Sequence, residues 1–186
     1  MPRRRFIFDS PDRFVAEALG EPGRRTFYLQ AAQGRRVVTV TLEKAQVAVL
    51  AERLAELIGE VERRGVDLPN GTDAVETAGL AQPVVEAFRV GTMTLTWGGQ
   101  IEALVVEARE IRDEASSDDD DDDDDDDEQD EEAPDLLQVR LSAPAARGFI
   151  AHATQVVAAG RLPCPLCGLP LNPEGHICPR KNGYMH

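Results

Sequence analysis

Residues 36–65 read RVVTVTLEKAQVAVLAERLAELIGEVERRG, and the hydrophobic period changes within this stretch from two to 3.6. Val38, Val40 and Leu42 alternate with polar residues, which is typical of a strand with one buried face. From Glu43 onward the apolar residues fall on one helical stripe, and the pattern stops at Gly65. The stretch therefore predicts a strand followed directly by a long amphipathic helix. The predicted stripe consists of Val47, Leu50, Ala51, Leu54, Leu57, Ile58 and Val61.

The residues before this stretch predict two more strands and a short helix. Arg5 to Phe8 is a strand candidate, and Ser10-Pro11-Asp12 is a typical helix start for a segment that runs to Leu19. Thr26 to Ala31 alternates apolar and polar residues, and Gln33-Gly34 then turns the chain into the strand at 36–42. The two strands around this turn are expected to form a hairpin.

A second hairpin is predicted after the long helix. Residues 66–82 look like an irregular connection, and alternation returns at Phe88 to Trp97. Gly98-Gly99 suits a two-residue turn into a strand at Gln100 to Arg109.

One more strand and one more helix follow. Leu137, Val139 and Leu141 share a strand face, and Ser142 is a good N-cap for a helix that runs to Ala159. The buried stripe of this helix is predicted to be Phe149, Ile150, Ala153, Val156 and Val157. Together these elements predict an α+β fold over residues 1–160, with a largely antiparallel sheet of about six strands and two main helices.

An acidic run interrupts this domain. Residues 118–127 are ten consecutive aspartates, and acids continue to Asp135. Such a run repels itself and buries no apolar surface, so we expect residues 114–135 to be a disordered insertion between two strands. A shield for a basic surface, a mimic of nucleic-acid charge and a weak site for divalent cations are alternative roles.

The net charge of −14 comes from this run. Residues 118–135 hold fifteen acids and no Lys or Arg, so the rest of the chain carries +1. A nearly neutral body with 5% aromatic residues gives little support to nucleic-acid binding.

The C-terminal residues 162–180 read LPCPLCGLPLNPEGHICPR and predict a metal site. Cys164, Cys167, His176 and Cys178 can supply four ligands to one tetrahedral zinc ion. A site with four protein ligands leaves no open position for water or substrate, so this pattern favours a structural zinc knuckle over residues 161–182 and names no catalytic residue.

Other interpretations of the histidines and cysteines remain open. His186 could replace His176 as the fourth ligand, although a terminal residue is more often part of a tail. His152 lies within the last predicted helix, where a partly exposed polar position is expected. A catalytic zinc or a metal-free redox C-x-x-C is also possible, but redox chemistry would leave His176 and Cys178 without a role.

The cysteine spacing also indicates a compartment. All three cysteines lie within fifteen residues, which is no disulfide framework and fits a reducing cytosol. Neither a signal peptide nor an apolar run long enough to span a bilayer is visible. We therefore expect a soluble, cytoplasmic protein with no membrane partner.

Four stretches resemble a known family: FIFDSPDRF at 6–14, EPGRRTFYLQ at 21–30, VTLEKAQV at 40–47 and CPLCGLPLNPEGHICPRKNG at 164–183. They are similar to Domain of Unknown Function 3090, an uncharacterised and mainly actinobacterial family. The resemblance covers nearly the whole chain except the aspartate run. It implies a cytoplasmic bacterial protein whose C-terminal cysteines and histidine bind metal, and it implies no established activity.

No phosphate-binding loop, nucleophile elbow or paired catalytic carboxylate is visible in the sequence. The leading hypothesis is a non-enzymatic, zinc-stabilised adaptor that binds another protein. A nucleic-acid-binding knuckle is the alternative, and a metal-dependent hydrolase with an unrecognised pocket is a third. The basic residues that favour nucleic acid are Arg3 to Arg5, Arg24, Arg25, Arg35, Arg36, Arg161, Arg180 and Lys181.

Overall fold

The computed structural model describes residues 3–21, 23–73, 79–112, 133–160, 164–167, 178 and 180. These residues form seven strands and two helices in an α+β arrangement. No helix in this part of the chain is long and apolar enough to cross a membrane. The elements are β1 (Arg5–Phe8), β2 (Arg13–Leu19), β3 (Thr26–Gln33), β4 (Arg36–Leu42), α1 (Lys44–Arg63), β5 (Glu86–Gly98), β6 (Ala103–Glu110), β7 (Leu136–Leu141) and α2 (Ala143–Ala158).

The sheet is mixed and has seven strands, in the order β1-β7-β6-β5-β4-β3-β2. The prediction of a largely antiparallel sheet of about six strands was wrong. Four neighbouring pairs are antiparallel, but β4 with β5 and β1 with β7 are parallel. The prediction assumed that consecutive strands form hairpins, which are antiparallel. A strand that comes after a crossover helix instead runs parallel to the strand before that helix. Helix α1 provides that crossover between β4 and β5.

The seventh strand is β2, where we had predicted a helix. Asp12, the expected helix-start residue, accepts a hydrogen bond from the backbone N–H of Gly34 in the β3–β4 turn at 2.6 Å. The segment then pairs with β3 over seven residues, from Arg13 opposite Ala32 to Leu19 opposite Thr26. A short helix is marginal without tertiary support, so strand pairing determines the structure here.

Only four residues, 9–12, join the two outermost strands, so the sheet must curve strongly to bring these strands together. Six gaps of about 4.8 Å would place the edges of a flat sheet roughly 29 Å apart. The five steps from Phe8 to Arg13 span at most about 18 Å. Arg36 in β4 also donates a hydrogen bond to the carbonyl of Ile7 in β1 at 3.0 Å, which brings the first edge toward the β3–β4 hairpin.

The two helices and one face of the sheet form one hydrophobic core. The predicted stripe of α1 is buried except for Leu57, which is partly buried. In α2 the ring of Phe149 is fully buried and stacks on Phe14 of β2, with 4.7 Å between ring centroids. The predicted Ile150, Val156 and Val157 are only partly buried against the core. Apart from Phe149, the fully buried residues of α2 are small: Ala143, Ala146, Gly148 and Ala153.

The opposite face of the sheet carries a buried amide. Gln30 of β3 donates to the hydroxyl of Thr39 at 2.9 Å and to the carbonyl of Ala81 at 3.2 Å. Its side-chain oxygen accepts the N–H of Ala81 at 2.8 Å. Both N–H donors and the oxygen of the amide thus have partners, and two of the three hydrogen bonds hold the loop before β5 against the sheet.

The predicted second hairpin is confirmed, but its turn is longer than two residues. β6 begins at Ala103, and Ile101 donates its N–H to the carbonyl of Gly98 at 3.1 Å. Glu102 has a positive φ of 47°. The four residues 99–102 therefore make the turn.

A bulge in β5 at Gly91 bends the strand where β4 ends. A Cβ at this glycine would lie 2.8 Å from Cα of Ile111, so the close approach of the two backbones requires the absence of a side chain.

The predicted disordered insertion ended at Asp135, but Asp135 is a buried part of the fold. Asp135 is 7% exposed and accepts hydrogen bonds from the backbone N–H of Arg4 at 2.8 Å and from its Nε at 2.7 Å. Its own carbonyl accepts the N–H of Glu110 at 2.9 Å. Asp135 therefore ties the beginnings of β1 and β7 to the end of β6, whereas the aspartate run lies outside the described residues.

Candidate metal centre

The cysteines follow closely on the end of α2. The helix ends at Ala158, and Cys164 and Cys167 then enclose a turn at 165–167. Leu166 in this turn donates its backbone N–H to Sγ of Cys164 at 3.4 Å. A tight turn of this kind places both sulfurs of a C-x-x-C pair on the same side.

The third cysteine completes a cluster of three sulfurs. The Sγ atoms of Cys164, Cys167 and Cys178 all lie within 4.8 Å of one another. Cys164 and Cys178 are 3.9 Å apart at Sγ, and all three cysteines are free of disulfides. Zn–S bonds of about 2.3 Å in a tetrahedron place two sulfurs about 3.8 Å apart. The separation of Cys164 and Cys178 therefore fits two ligands of one tetrahedral ion, and Cys167 lies close enough to be a third.

The surroundings of Cys164 favour the form that binds metal. Hydrogen bonds from the backbone N–H groups of Cys167 and Leu166 lower the pKa of the Cys164 thiol below its ordinary value, and they outweigh the opposing effect of burial. Cys164 and Cys178 are each 6% exposed, and Cys167 is more accessible. Because the thiolate is the ligand, a lowered pKa favours metal binding at neutral pH.

The structure brings together three of the four predicted ligands. His176 lies outside the described residues, as do His186 and most of the predicted knuckle at 161–182. A donor set of three thiolates suits zinc and other soft metals. With a fourth protein ligand the site would be closed, and without one it would keep an open position for water.

His152 is half-buried, in line with the expected partly exposed polar position. Its ring Nε2 lies 2.8 Å from Oε1 of Glu17 in β2, and the two side chains are only 12% and 18% exposed. The pair links α2 to β2 at the edge of the sheet, and neither residue belongs to the cysteine cluster. Local spacing could not reveal this pair, because the two residues are 135 positions apart.

Several arginines that we considered for nucleic-acid binding make contacts within the protein. Arg4 pairs with Asp135, and the guanidinium of Arg25 donates to the carbonyl of Ala159 at 2.8 Å. Arg36 contacts β1 and lies over the ring of Phe8, 4.8 Å from the ring centroid. Arg161 and Lys181 lie outside the described residues.

Comparison with known proteins identifies one family that matches most of the chain. No curated protein and no solved structure matches it. The sequence model of one family, described as protein of unknown function (DUF3090), matches residues 6–178 and therefore covers both the sheet and all three cysteines. The chain belongs to this DUF3090 family of proteins of unknown function.

Proposed function

We propose that this protein is a non-enzymatic adaptor whose C-terminal segment is held in shape by a structural zinc ion. The observation that carries the proposal is the cluster of three cysteine sulfurs within 4.8 Å of one another. Two of these sulfurs belong to buried residues, and their 3.9 Å separation fits a shared tetrahedral ion. Zinc suits thiolate ligands and needs no redox partner.

His176 is the proposed fourth ligand, since it precedes Cys178 by two residues and an extended segment would direct both side chains to the same side. A Cys3His set closes the coordination sphere and leaves no position for a substrate. The metal then stabilises the segment and does not act as a Lewis acid.

The expected result is about one equivalent of zinc in the purified full-length protein. His176→Ala should lower zinc affinity at least about tenfold, because a ligand is lost, whereas His186→Ala should leave it unchanged. Competition with a chromophoric chelator measures both affinities. A metal-free protein that gains no stability on addition of zinc would contradict a structural site, and the opposite order of the two variants would identify His186 as the ligand.

The proposed partner is another protein, and the surface offered to it lies on the turn between Cys164 and Cys167. Leu166 in that turn is 51% exposed although it is a large apolar residue. An exposed apolar side chain on a rigid, metal-held turn can enter a pocket on a partner at a low cost in conformational entropy.

A photo-crosslinking residue at position 166 tests this surface. We expect it to crosslink a protein from the native cell extract, and we expect chelation of the metal to abolish the product. The same residue at position 85, where Val85 is also exposed and apolar, is the matched control. Equal products from both positions would exclude a specific protein site on the turn, and a nuclease-sensitive product from position 166 would favour nucleic acid instead.

A further inference from the structure

The second half of β5 has a neighbouring strand on one side only. Residues 92–98 pair with β6, but the register between β5 and β4 ends at Arg89, because β4 itself ends at Leu42. No other strand in the described parts of the chain pairs with residues 92–98. β5 therefore continues beyond β4 and leaves an open sheet edge there.

This open edge lies beside a groove of about 590 Å³ between β5 and α1. Gln46 of α1 lines the groove, and its side-chain amide donates to the carbonyl of Gly91 at 3.0 Å. Backbone groups of alternate residues point to the same side of a strand, so those of Met93 and Leu95 also point away from β6. Both side chains line the groove. The N–H and C=O groups of these two residues can therefore pair with an added strand.

The groove is apolar, with charges of both signs around it. Val49 and Leu57 line it from α1, and Val49 is 49% exposed. Three charged side chains also line it: Arg53, which lies 2.9 Å from Glu56, and Glu60. In a two-fold interface the same patch occurs on both copies and must be complementary to itself. Apolar walls with both signs of charge meet this requirement.

The sequence of the open edge carries neither a charge nor a proline. Residues 91–98 read GTMTLTWG. The outermost strands differ, since β1 contains Arg5 and β2 contains Arg13 and Glu17. Charged side chains and prolines protect exposed edges against pairing with another chain. An uncharged segment rich in threonine, with a tryptophan, instead favours such pairing.

The same segment is complementary to itself. A two-fold axis at Thr94 places Met93 of one copy opposite Leu95 of the second copy, and Thr92 opposite Thr96. The three threonines are exposed and form one face of the paired strands, whereas the apolar side chains form the other face. Cross-strand pairs of threonines and of apolar side chains are favourable. No like charges oppose each other in this arrangement, because the segment has no charged residue.

We propose that two copies of this protein form a dimer in which their β5 strands pair antiparallel about Thr94. The backbone groups of Met93 and Leu95 bond to those of the second copy, and the apolar side chains of each copy cover the groove beside α1 of the other. No cysteine lines the groove, so this interface is independent of the metal site. Failure of the dimer proposal would leave the proposed function untouched.

Sedimentation equilibrium of the full-length protein tests the dimer. We expect a mass of twice the 20.3 kDa of one chain, unchanged when a chelator removes the metal. Thr92→Lys combined with Thr96→Lys places lysines opposite each other at two points and should give monomers. Thr26→Lys combined with Thr154→Lys is the matched control, because it adds the same charge at two exposed threonines outside the edge and should remain dimeric.

A charge exchange tests the pairing itself. Thr92→Glu combined with Thr96→Glu should also give monomers, whereas an equimolar mixture of the glutamate and lysine variants should recover dimers, because opposite charges then face each other. A monomeric unchanged protein, a lysine variant that stays dimeric, or a mixture that stays monomeric would each overturn the proposal. Dimers that dissociate on chelation would overturn it as well.

Amide hydrogen exchange provides a measurement on the unchanged protein. The N–H groups of Met93 and Leu95 should exchange more slowly in the dimer than in the diluted monomer, because they gain hydrogen-bond partners. Equal exchange in both states would place the interface elsewhere and contradict pairing through β5.

Discussion

Phe149→Ala is expected to destabilise the protein by about 3–5 kcal/mol, the largest effect that we predict for a residue of the core. Phe149 is fully buried in α2, and its ring stacks on Phe14 of β2 at 4.7 Å. The substitution removes the apolar ring and leaves a cavity between the last helix and the edge strand. Such a loss corresponds to a fall in Tm of about 6–20 °C for a protein of this size.

Thermal unfolding followed by circular dichroism measures this effect, and Val49→Ala is the matched control. Val49 lies on α1 with 49% of its surface exposed, so its truncation should change stability by no more than about 0.5 kcal/mol. A loss below about 1 kcal/mol for Phe149→Ala would show that α2 is not firmly packed on β2.

The long helix and both hairpins could be predicted from the sequence because their signals are local. The change of period at Glu43 and the buried stripe of α1 are properties of neighbouring residues. The β3–β4 turn likewise follows from Gly34, which has a positive φ of 58°. Local patterns of this kind require no knowledge of the distant chain.

The sheet order and β2 could not be predicted because they depend on distant partners. Asp12 has the residue type of a helix start, but its carboxylate binds the backbone of Gly34, 22 residues away. The pairing of β1 with β7 joins residues about 130 positions apart. A single sequence contains no signal for such contacts, so the helix propensity of residues 10–19 was misleading.

The same difference separates the candidate metal site from the other side-chain contacts of the fold. Cys164, Cys167 and Cys178 lie within fifteen residues, and their spacing alone predicts a shared metal. The pair of His152 in α2 and Glu17 in β2 instead joins residues 135 positions apart, which no local spacing could indicate.

The two buried cysteines lie outside the main hydrophobic core. Cys164 and Cys178 are each buried, yet neither belongs to the hydrophobic cluster that the sheet forms with the two helices. Metal binding should therefore determine the order of the C-terminal segment without determining the stability of the sheet. This separation makes the consequences of losing a metal ligand distinguishable from those of damaging the core.

Cys164→Ser is accordingly expected to lower zinc affinity by at least about 100-fold, since even partners that only orient a ligand contribute 10–100-fold. Proteolysis after residue 160 should become faster, while the main thermal transition should move by no more than about 2 °C, a shift equivalent to about 0.5–1 kcal/mol. Leu166→Ala is the matched control, because it lies between two cysteines, supplies no ligand and should retain one equivalent of zinc. Retention of zinc by Cys164→Ser would remove this sulfur from the site. A fall in Tm as large as that of Phe149→Ala would instead show that the metal and the core unfold as one unit.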